Sequence, residues 1–256
     1  MAAGVLDGKV AIVTGAAGGM GAATAELFAA AGASVIVSDV EEAGGSATVA
    51  AIEAAGGTAS FVRTDVSTSA DVEAMVHAAV QRYGRLDCAV NNAAIAPDSH
   101  PLAELDEAEF DRIIAVDLKG VALCLKHEIA QLLAQGGGGS IVNIGSVNSF
   151  RPQPNSSAYT AAKHAVIGLT KSASFEYARR GIRVNAVCPG AIDTPMLRTR
   201  LDARGATEAD YAPTMSLFKR LGKPEEIAQA SLWLCSEQAS FVTGVALPVD
   251  AGYTSR

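Results

Sequence analysis

Aromatic side chains make up only 5% of this 256-residue chain, with a single Trp, and charged side chains only 18%. A core here has to be built from Ala, Val, Ile and Leu, within a hydrophobic content of 49%. That composition suits parallel strands covered by helices on both faces. The net charge of −7 comes without any basic run or aromatic-interleaved basic patch. Nucleic acid needs a concentrated cationic footprint and is therefore not an expected partner. No stretch reaches the ~18 uninterrupted apolar residues of a membrane span, so no membrane partner is expected either. Cys88, Cys124, Cys188 and Cys235 are scattered, with no C-x-x-C or metal-ligand spacing, and His77, His100, His127 and His164 form no H-x-x-x-H pair. No metal is expected. No signal peptide is read, and the scattered cysteines point to reduced thiols in a cytoplasmic protein.

What is present is a regular alternation. Strand-like apolar runs lie at 9–14, 34–38, 59–63, 86–90, 140–144, 183–187 and 246–249, and helical patterns at 19–31, 41–55, 70–83, 107–135, 157–179 and 225–235. Alternation of this kind implies right-handed βαβ crossovers and a doubly wound parallel sheet. There is no linker and no internal repeat; Gly136-Gly-Gly-Gly139 is only a flexible connection before a strand. A single domain over 1–256 is expected. In such sheets ligands sit beyond the carboxyl ends of the strands, near the switch point.

The first strand runs into Gly15-Ala-Ala-Gly-Gly19-Met20-Gly21 and then a helix. Glycines let the backbone approach a pyrophosphate, and a helix N-terminus favours the anion. The second strand ends in Asp39, close to the interval of ~20 residues expected for an acid that accepts from an adenosine ribose hydroxyl. Further on, Tyr159 and Lys163 stand four residues apart, with Ser146 thirteen positions upstream. On a helix such a pair shares one face. A cation beside a phenol favours the ionised form, so Lys163 is expected to lower the Tyr159 pKa toward the range of a usable acid–base group. Alone, Y-x-x-x-K is a weak signal.

Together these motifs resemble the short-chain dehydrogenase/reductase family over almost the whole chain. Thr14-Gly-Ala-Ala-Gly-Gly-Met-Gly21 is similar to its T-G-x-x-x-G-x-G cofactor loop, and Asp65-Val66 to its adenine-contacting aspartate and the residue after it. Asn91-Asn92-Ala-Ala94 is similar to its N-N-A-G, with alanine in the last place. Arg183-Val-Asn-Ala-Val-Cys-Pro189-Gly190, with Ile192 and Thr194 following, resembles the segment that holds the nicotinamide carboxamide. Phe241-Val-Thr-Gly and Val249-Asp-Ala-Gly252 resemble its C-terminal signature. The resemblance implies a Rossmann-like α/β fold with seven strands in the order 3-2-1-4-5-6-7, NAD as cofactor, Ser146, Tyr159 and Lys163 as catalytic residues, and a homotetramer. Wide apolar patterning in the 107–135 helix and small residues in the 157–179 helix suit pairing of these helices between subunits.

One position departs from the family. Its fourth catalytic residue is usually asparagine, in a stretch like V-N-L-x-G; here the stretch is Val116-Asp117-Leu-Lys-Gly120. Aspartate keeps the acceptor oxygens and loses the amide donor unless protonated. If a backbone carbonyl at the helix kink holds the relay water, as the resemblance suggests, Asp117→Asn is expected to be tolerated. In the alternative, Asp117 is ionised and paired with Lys163 through that water.

The implied activity is reversible hydride transfer between a secondary alcohol or diol and its ketone. An NADPH-dependent 3-oxoacyl-thioester reductase and a non-catalytic nucleotide-binding regulator are the competing readings. Pocket walls are expected from 147–156 and from 192–220, the latter as a lid. Arg151, Arg198, Arg200 and Arg204 could meet an acidic substrate but are read chiefly as solvated surface.

Overall fold

The computed structural model describes residues 4–255. In chain order the elements are β1 (Val10–Thr14), α1 (Gly19–Ala30), β2 (Ser34–Asp39), α2 (Glu42–Ala54), β3 (Thr58–Arg63), α3 (Ser69–Tyr83) and β4 (Cys88–Asn91). There follow α4 (Glu107–Ile113), a π-helical turn (Ile114–Gly120), α5 (Val121–Gln135), β5 (Gly139–Ile144), α6 (Ser157–Tyr177) and β6 (Ile182–Pro189). The chain closes with α7 (Pro195–Ala203), α8 (Glu208–Met215), α9 (Pro224–Cys235) and β7 (Ala246–Val249).

All seven strands pair in parallel in the order β3-β2-β1-β4-β5-β6-β7. Residues of β1 are buried throughout because both sheet faces are covered. One face packs Val13, Val35 and Val37 against Ala25 and Phe28 of α1 and Ile227 and Leu234 of α9. The other packs Ile12, Ile36 and Ile141 against Val72 and Met75 of α3, Leu125 and Leu132 of α5 and Val166 of α6. Strand β1 lies between β2 and β4, so the chain's winding reverses there and opens a crevice at the strand ends.

Most expected boundaries move by a residue or two; β6 runs two residues further, to Pro189. The single helix expected over 107–135 differs in kind. Asp106 caps α4 by accepting from the Ala108 and Glu109 amides, and α4 then widens into the π turn before α5 begins. One residue is thereby inserted into the helical ladder, a device concentrated at functional sites. Much of that helix's apolar stripe is spent inside the chain: Ile113, Val121, Leu125, Ile129 and Leu132 are buried. The segment expected as a lid holds α7 and α8. Its base is tied by a bridge between Ile192 and Gly222, with Asp193 N–H donating to Gly222 O at 2.8 Å and Gly222 N–H to Ala191 O at 2.9 Å.

Among the described residues no helix is long and apolar enough to cross a membrane. All four cysteines are free and buried.

Candidate active site

A cavity of about 450 Å³ runs along the carboxyl ends of the strands, within the range of small-molecule and cofactor sites. At one end it is lined by Gly19, Asp39, Asp65 and Val66, and at the other by Ser146, Tyr159 and Lys163.

The loop after β1 is shaped by close backbone approach. Gly15 has φ +65°, and a Cβ there would lie 2.7 Å from Ala93 Cα. A Cβ on Gly21 would lie 2.0 Å from Gly15 O, so the loop closes on the first turn of α1 only with glycine at both places. Asn92 secures this loop to β4: its side-chain amide donates to Thr14 O at 2.9 Å and to Gly15 O at 3.0 Å. Thr14 Oγ1 in turn accepts from the Asn92 and Ala93 amides. Helix α1 begins at Gly19 and Met20 with no side-chain cap on its first amides. Those open N–H groups, facing a cavity, fit a dinucleotide pyrophosphate.

Asp39 ends β2 with its carboxylate fixed by the Ala17 amide at 2.9 Å and the Glu41 amide at 3.0 Å. Asp65 accepts from the Ser67 hydroxyl at 2.7 Å and its amide at 2.9 Å. These bonds hold the Asp65 carboxyl below its ordinary range. Across the cavity, Pro189, Gly190, Ile192 and Thr194 line the wall, and Thr194 caps α7 by accepting from Leu197 N–H. Gly21 and Asp117 alone among the expected site residues lie behind the lining rather than in it.

At the reactive end, Tyr159 and Lys163 project from one face of α6, with Lys163 Nζ 5.4 Å from the Tyr159 ring centre. Ser146, just past β5, lines the cavity with Tyr159 and accepts from Asn148 N–H at 3.1 Å. Lys163 is 1% exposed; its ammonium donates to Ile144 O at 3.2 Å and faces Asp117 Oδ2 at 3.4 Å. Asp117 is fully buried on the π turn, and its other oxygen accepts from Ile95 N–H at 2.9 Å. Asp117 and Lys163 thus stand at ion-pair distance.

The electrostatics correct one expectation. Burial pushes the Tyr159 phenol above its ordinary value; Lys163 pulls it down, Asp117 pushes it up further, and Ser146 pulls it down. The net shift is upward, because Y-x-x-x-K names the cation but says nothing of the burial or of Asp117. Burial likewise raises the Asp117 carboxyl against the pull of Lys163. Burial works against the Lys163 ammonium as well, but Asp117 and Tyr159 outweigh it and hold Lys163 above its ordinary range. Asp117 thus raises both of its neighbours. Asp117→Asn is expected to move both limbs of the pH–rate profile to lower pH while sparing the maximal rate to within about tenfold, ~1.4 kcal/mol of barrier. An unmoved profile with the fold intact would show that Asp117 does not set these two pKa values.

Several contributors were not anticipated from the sequence. Ile95 and Pro97, after the Asn91-Asn92 motif, line the cavity, and the Ile95 amide fixes Asp117. Arg200, weighed from the sequence as a contact for an acidic substrate but read chiefly as surface, lines the cavity, whereas Arg198 pairs with Asp193 and Glu208 on the surface. Arg151 stacks over Tyr253, 5.0 Å from the ring centre. Among the described residues no cluster of His, Cys, Asp or Glu is arranged to hold a metal ion.

A doubly wound parallel sheet with a dinucleotide-type loop at its switch point, and a Ser–Tyr–Lys set facing it, defines a nucleotide-binding oxidoreductase of the Rossmann type. Comparison with known proteins agrees. A family model described as enoyl-(acyl carrier protein) reductase matches residues 15–254. A short chain dehydrogenase/reductase, astE, of Aspergillus oryzae is 52% identical over 248 residues, covering 96% of this chain and 95% of the relative. The cis-4-hydroxycyclohexanecarboxylate dehydrogenase of Sinomonas cyclohexanicum is 47% identical over 250 residues, covering 96% and 97%. A crystal structure of levodione reductase, 38% identical, superposes with a TM-score of 0.91 over 98% of this chain and 99% of that one. The chain belongs to the short-chain dehydrogenase/reductase family. It is an oxidoreductase that acts on CH–OH groups with a nicotinamide cofactor.

Proposed function

We propose that the protein catalyses NAD-dependent, reversible oxidation of a cyclic secondary alcohol or diol to the corresponding ketone. The observation that carries this reading is the single cavity joining Asp39 at one end to Ser146, Tyr159 and Lys163 at the other. The relatives' names, a hydroxycyclohexanecarboxylate dehydrogenase and a levodione reductase, support a cyclic substrate.

When bound, the nicotinamide supplies the hydride acceptor or donor of the reaction. Ser146 donates a hydrogen bond to the substrate oxygen and orients it. In oxidation Tyr159, as phenolate, takes the hydroxyl proton; the carbinol carbon gives up its hydrogen with two electrons and becomes the carbonyl carbon. In reduction the phenol returns that proton to the developing alkoxide. Lys163 stabilises the phenolate, and Asp117 keeps Lys163 charged. Because the phenol stands above its ordinary pKa, oxidation rises with pH through the alkaline range and reduction is favoured below it. The segment holding α7 and α8, tied at Ile192 and Gly222, acts as the substrate lid of a single domain. A homotetramer completes the proposal, and Phe175 on α6, 91% exposed, supports it by leaving an apolar side chain for a subunit contact.

Asp39 supports NAD over NADP. Its carboxylate would accept from the adenosine ribose hydroxyls and repel a 2′-phosphate of nearly two negative charges. Neither Gly18 nor Val40 beside it offers a cation. The test is NADH formation from cyclohexanol, a cyclohexanediol and 4-hydroxycyclohexanecarboxylate, with NAD and NADP in parallel. NAD is expected to give the higher kcat/KM, and Asp39→Ala to reduce that preference. Equal or better kcat/KM with NADP would transfer the assignment to the phosphorylated cofactor.

A further inference from the structure

Among the described residues, Arg200 is a cation of the cavity wall that forms no ion pair. Lysine and arginine occur only twice in that wall, as Lys163 and Arg200, and Lys163 is matched by Asp117. The acidic groups of the wall, Asp39 and Asp65, belong to the far end beside the α1 loop. Arg200 makes no ion pair among the described residues; its Nη2 donates to the neutral Ser156 hydroxyl at 3.2 Å. Asp98 acts on Arg200 electrostatically without forming an ion pair with it; its two oxygens accept from the Ala158 and Tyr159 amides at 3.1 Å each, holding the first turn of α6.

The same cavity is lined by Ile95, Pro97, Met196, Leu197 and Met215, all apolar, and by Tyr211, which is close enough to act on the guanidinium. Burial lowers the Arg200 pKa, with Arg204 adding to the effect and the Tyr211 and Tyr159 phenols and the Asp98 carboxylate opposing it. A half-buried guanidinium with five donors, one of them held by Ser156, has donors to offer a ligand. A carboxylate matches the guanidinium fork with two parallel hydrogen bonds, and partial desolvation strengthens them.

We propose that Arg200 is a specificity-determining residue that binds a carboxylate on the substrate, at the end remote from the carbon undergoing oxidation, so that the preferred substrate is a cyclic hydroxy acid. The proposal rests on the alcohol-oxidation reading for the word "substrate", but the binding site itself does not. Seated on α7 at the lid, Arg200 would also draw that segment down when an anion enters the cavity.

The probes are cyclohexanecarboxylate, which has no hydroxyl to oxidise, and cyclohexanecarboxamide, its neutral counterpart of the same shape. Each is titrated calorimetrically into the NADH-loaded protein and into the protein alone. The carboxylate is expected to bind at least about tenfold more tightly than the amide. Arg200→Gln is expected to bring the two affinities within about threefold by weakening the acid alone, and Arg200→Lys to restore part of the preference. Equal binding of acid and amide to the unaltered protein, or equal weakening of both by Arg200→Gln, would overturn the proposal in favour of a lid-packing role through Ser156.

A kinetic arm separates the two claims. With the hydroxy acid of the preceding assay and its primary amide, Arg200→Gln is expected to raise KM for the acid with little change in kcat. Acid-selective binding without any NADH formation would defeat the oxidation reading and leave Arg200 standing. Turnover of acid and amide alike would do the reverse.

Discussion

Tyr159→Phe is expected to lower kcat by about 10²–10⁴-fold while dinucleotide affinity stays close to that of the unaltered protein. The substitution keeps the ring, which packs beside Ile113, Ala158 and Ala162, and removes only the oxygen that carries the proton. Lys163 keeps its contacts with Asp117 and Ile144 O, so the cavity's charge is unchanged. Ser146 remains to polarise the substrate oxygen, but no base is left to take the hydroxyl proton. Stopped-flow and steady-state measurements of NADH formation report the loss, and fluorescence titration of NADH checks that binding survives. A near-normal kcat would remove Tyr159 from the proton transfer and, with it, the roles given to Lys163 and Asp117.

Away from the chemistry, the largest effect is expected at Glu128. This side chain is fully buried on α5, where Oε2 accepts from the Asn91 amide at 3.1 Å. Asn91 also donates to Asn143 at 3.0 Å, and Asn143 to Thr170 at 3.0 Å, a polar chain running through the sheet and into α6. Among the described residues Glu128 Oε1 has no hydrogen-bond partner. Burial pushes its carboxyl from an ordinary value of 4.5 up to about 7, with the Asn91 hydrogen bond pulling back. The folded protein therefore holds a proton that the unfolded chain has released. Stability contributed by that proton is fully present below pH ~4.5 and lost as pH rises through ~7, amounting to ~3 kcal/mol at ~1.4 kcal/mol per pKa unit.

Glu128→Gln mimics the protonated form and is expected to flatten this decline, leaving the variant more stable than the parent by ~3 kcal/mol at pH 8 and similar to it at pH 4. Urea unfolding at the two pH values measures it. Asp117 is raised by burial too and acts in the same direction, so the difference between parent and variant isolates Glu128. A difference that does not change with pH would mean that Glu128 titrates alike in the folded and unfolded protein.

Much of the fold was legible because its determinants are local. The apolar run of β1, the glycines that follow and the acid that ends β2 each carry their own reason for being where they are. Their order along the chain then brings their strand ends to one crevice. Tyr159 and Lys163 were legible as a pair because helical spacing alone puts them on one face.

What escaped depends on burial and on contacts between distant segments. Nothing in Val116-Asp117-Leu-Lys-Gly120 announces a π turn, and without it the direct approach of Asp117 to Lys163 does not follow. The sign of the Tyr159 shift escaped for the same reason. Arg198, Arg200 and Arg204 read alike along the chain, yet Arg198 turns outward to Asp193 and Glu208 while Arg200 reaches the cavity. Glu128 sits in Lys126-His-Glu128-Ile with no mark of its burial; only the packing of α5 on β4 and β5 reveals it.

The central claim is direct hydride transfer from a substrate carbinol carbon, with Tyr159 handling the proton. It is tested most directly with cyclohexanol or 4-hydroxycyclohexanecarboxylate deuterated at the carbinol carbon, incubated with NAD and followed by proton NMR of the nicotinamide. Deuterium is expected at nicotinamide C4 of the NADH formed, on one face only and in one-to-one ratio with ketone, and at a rate reduced by Tyr159→Phe. Ketone formed with the label washed into solvent, or no transfer to NAD or NADP from any cyclic alcohol, would contradict it.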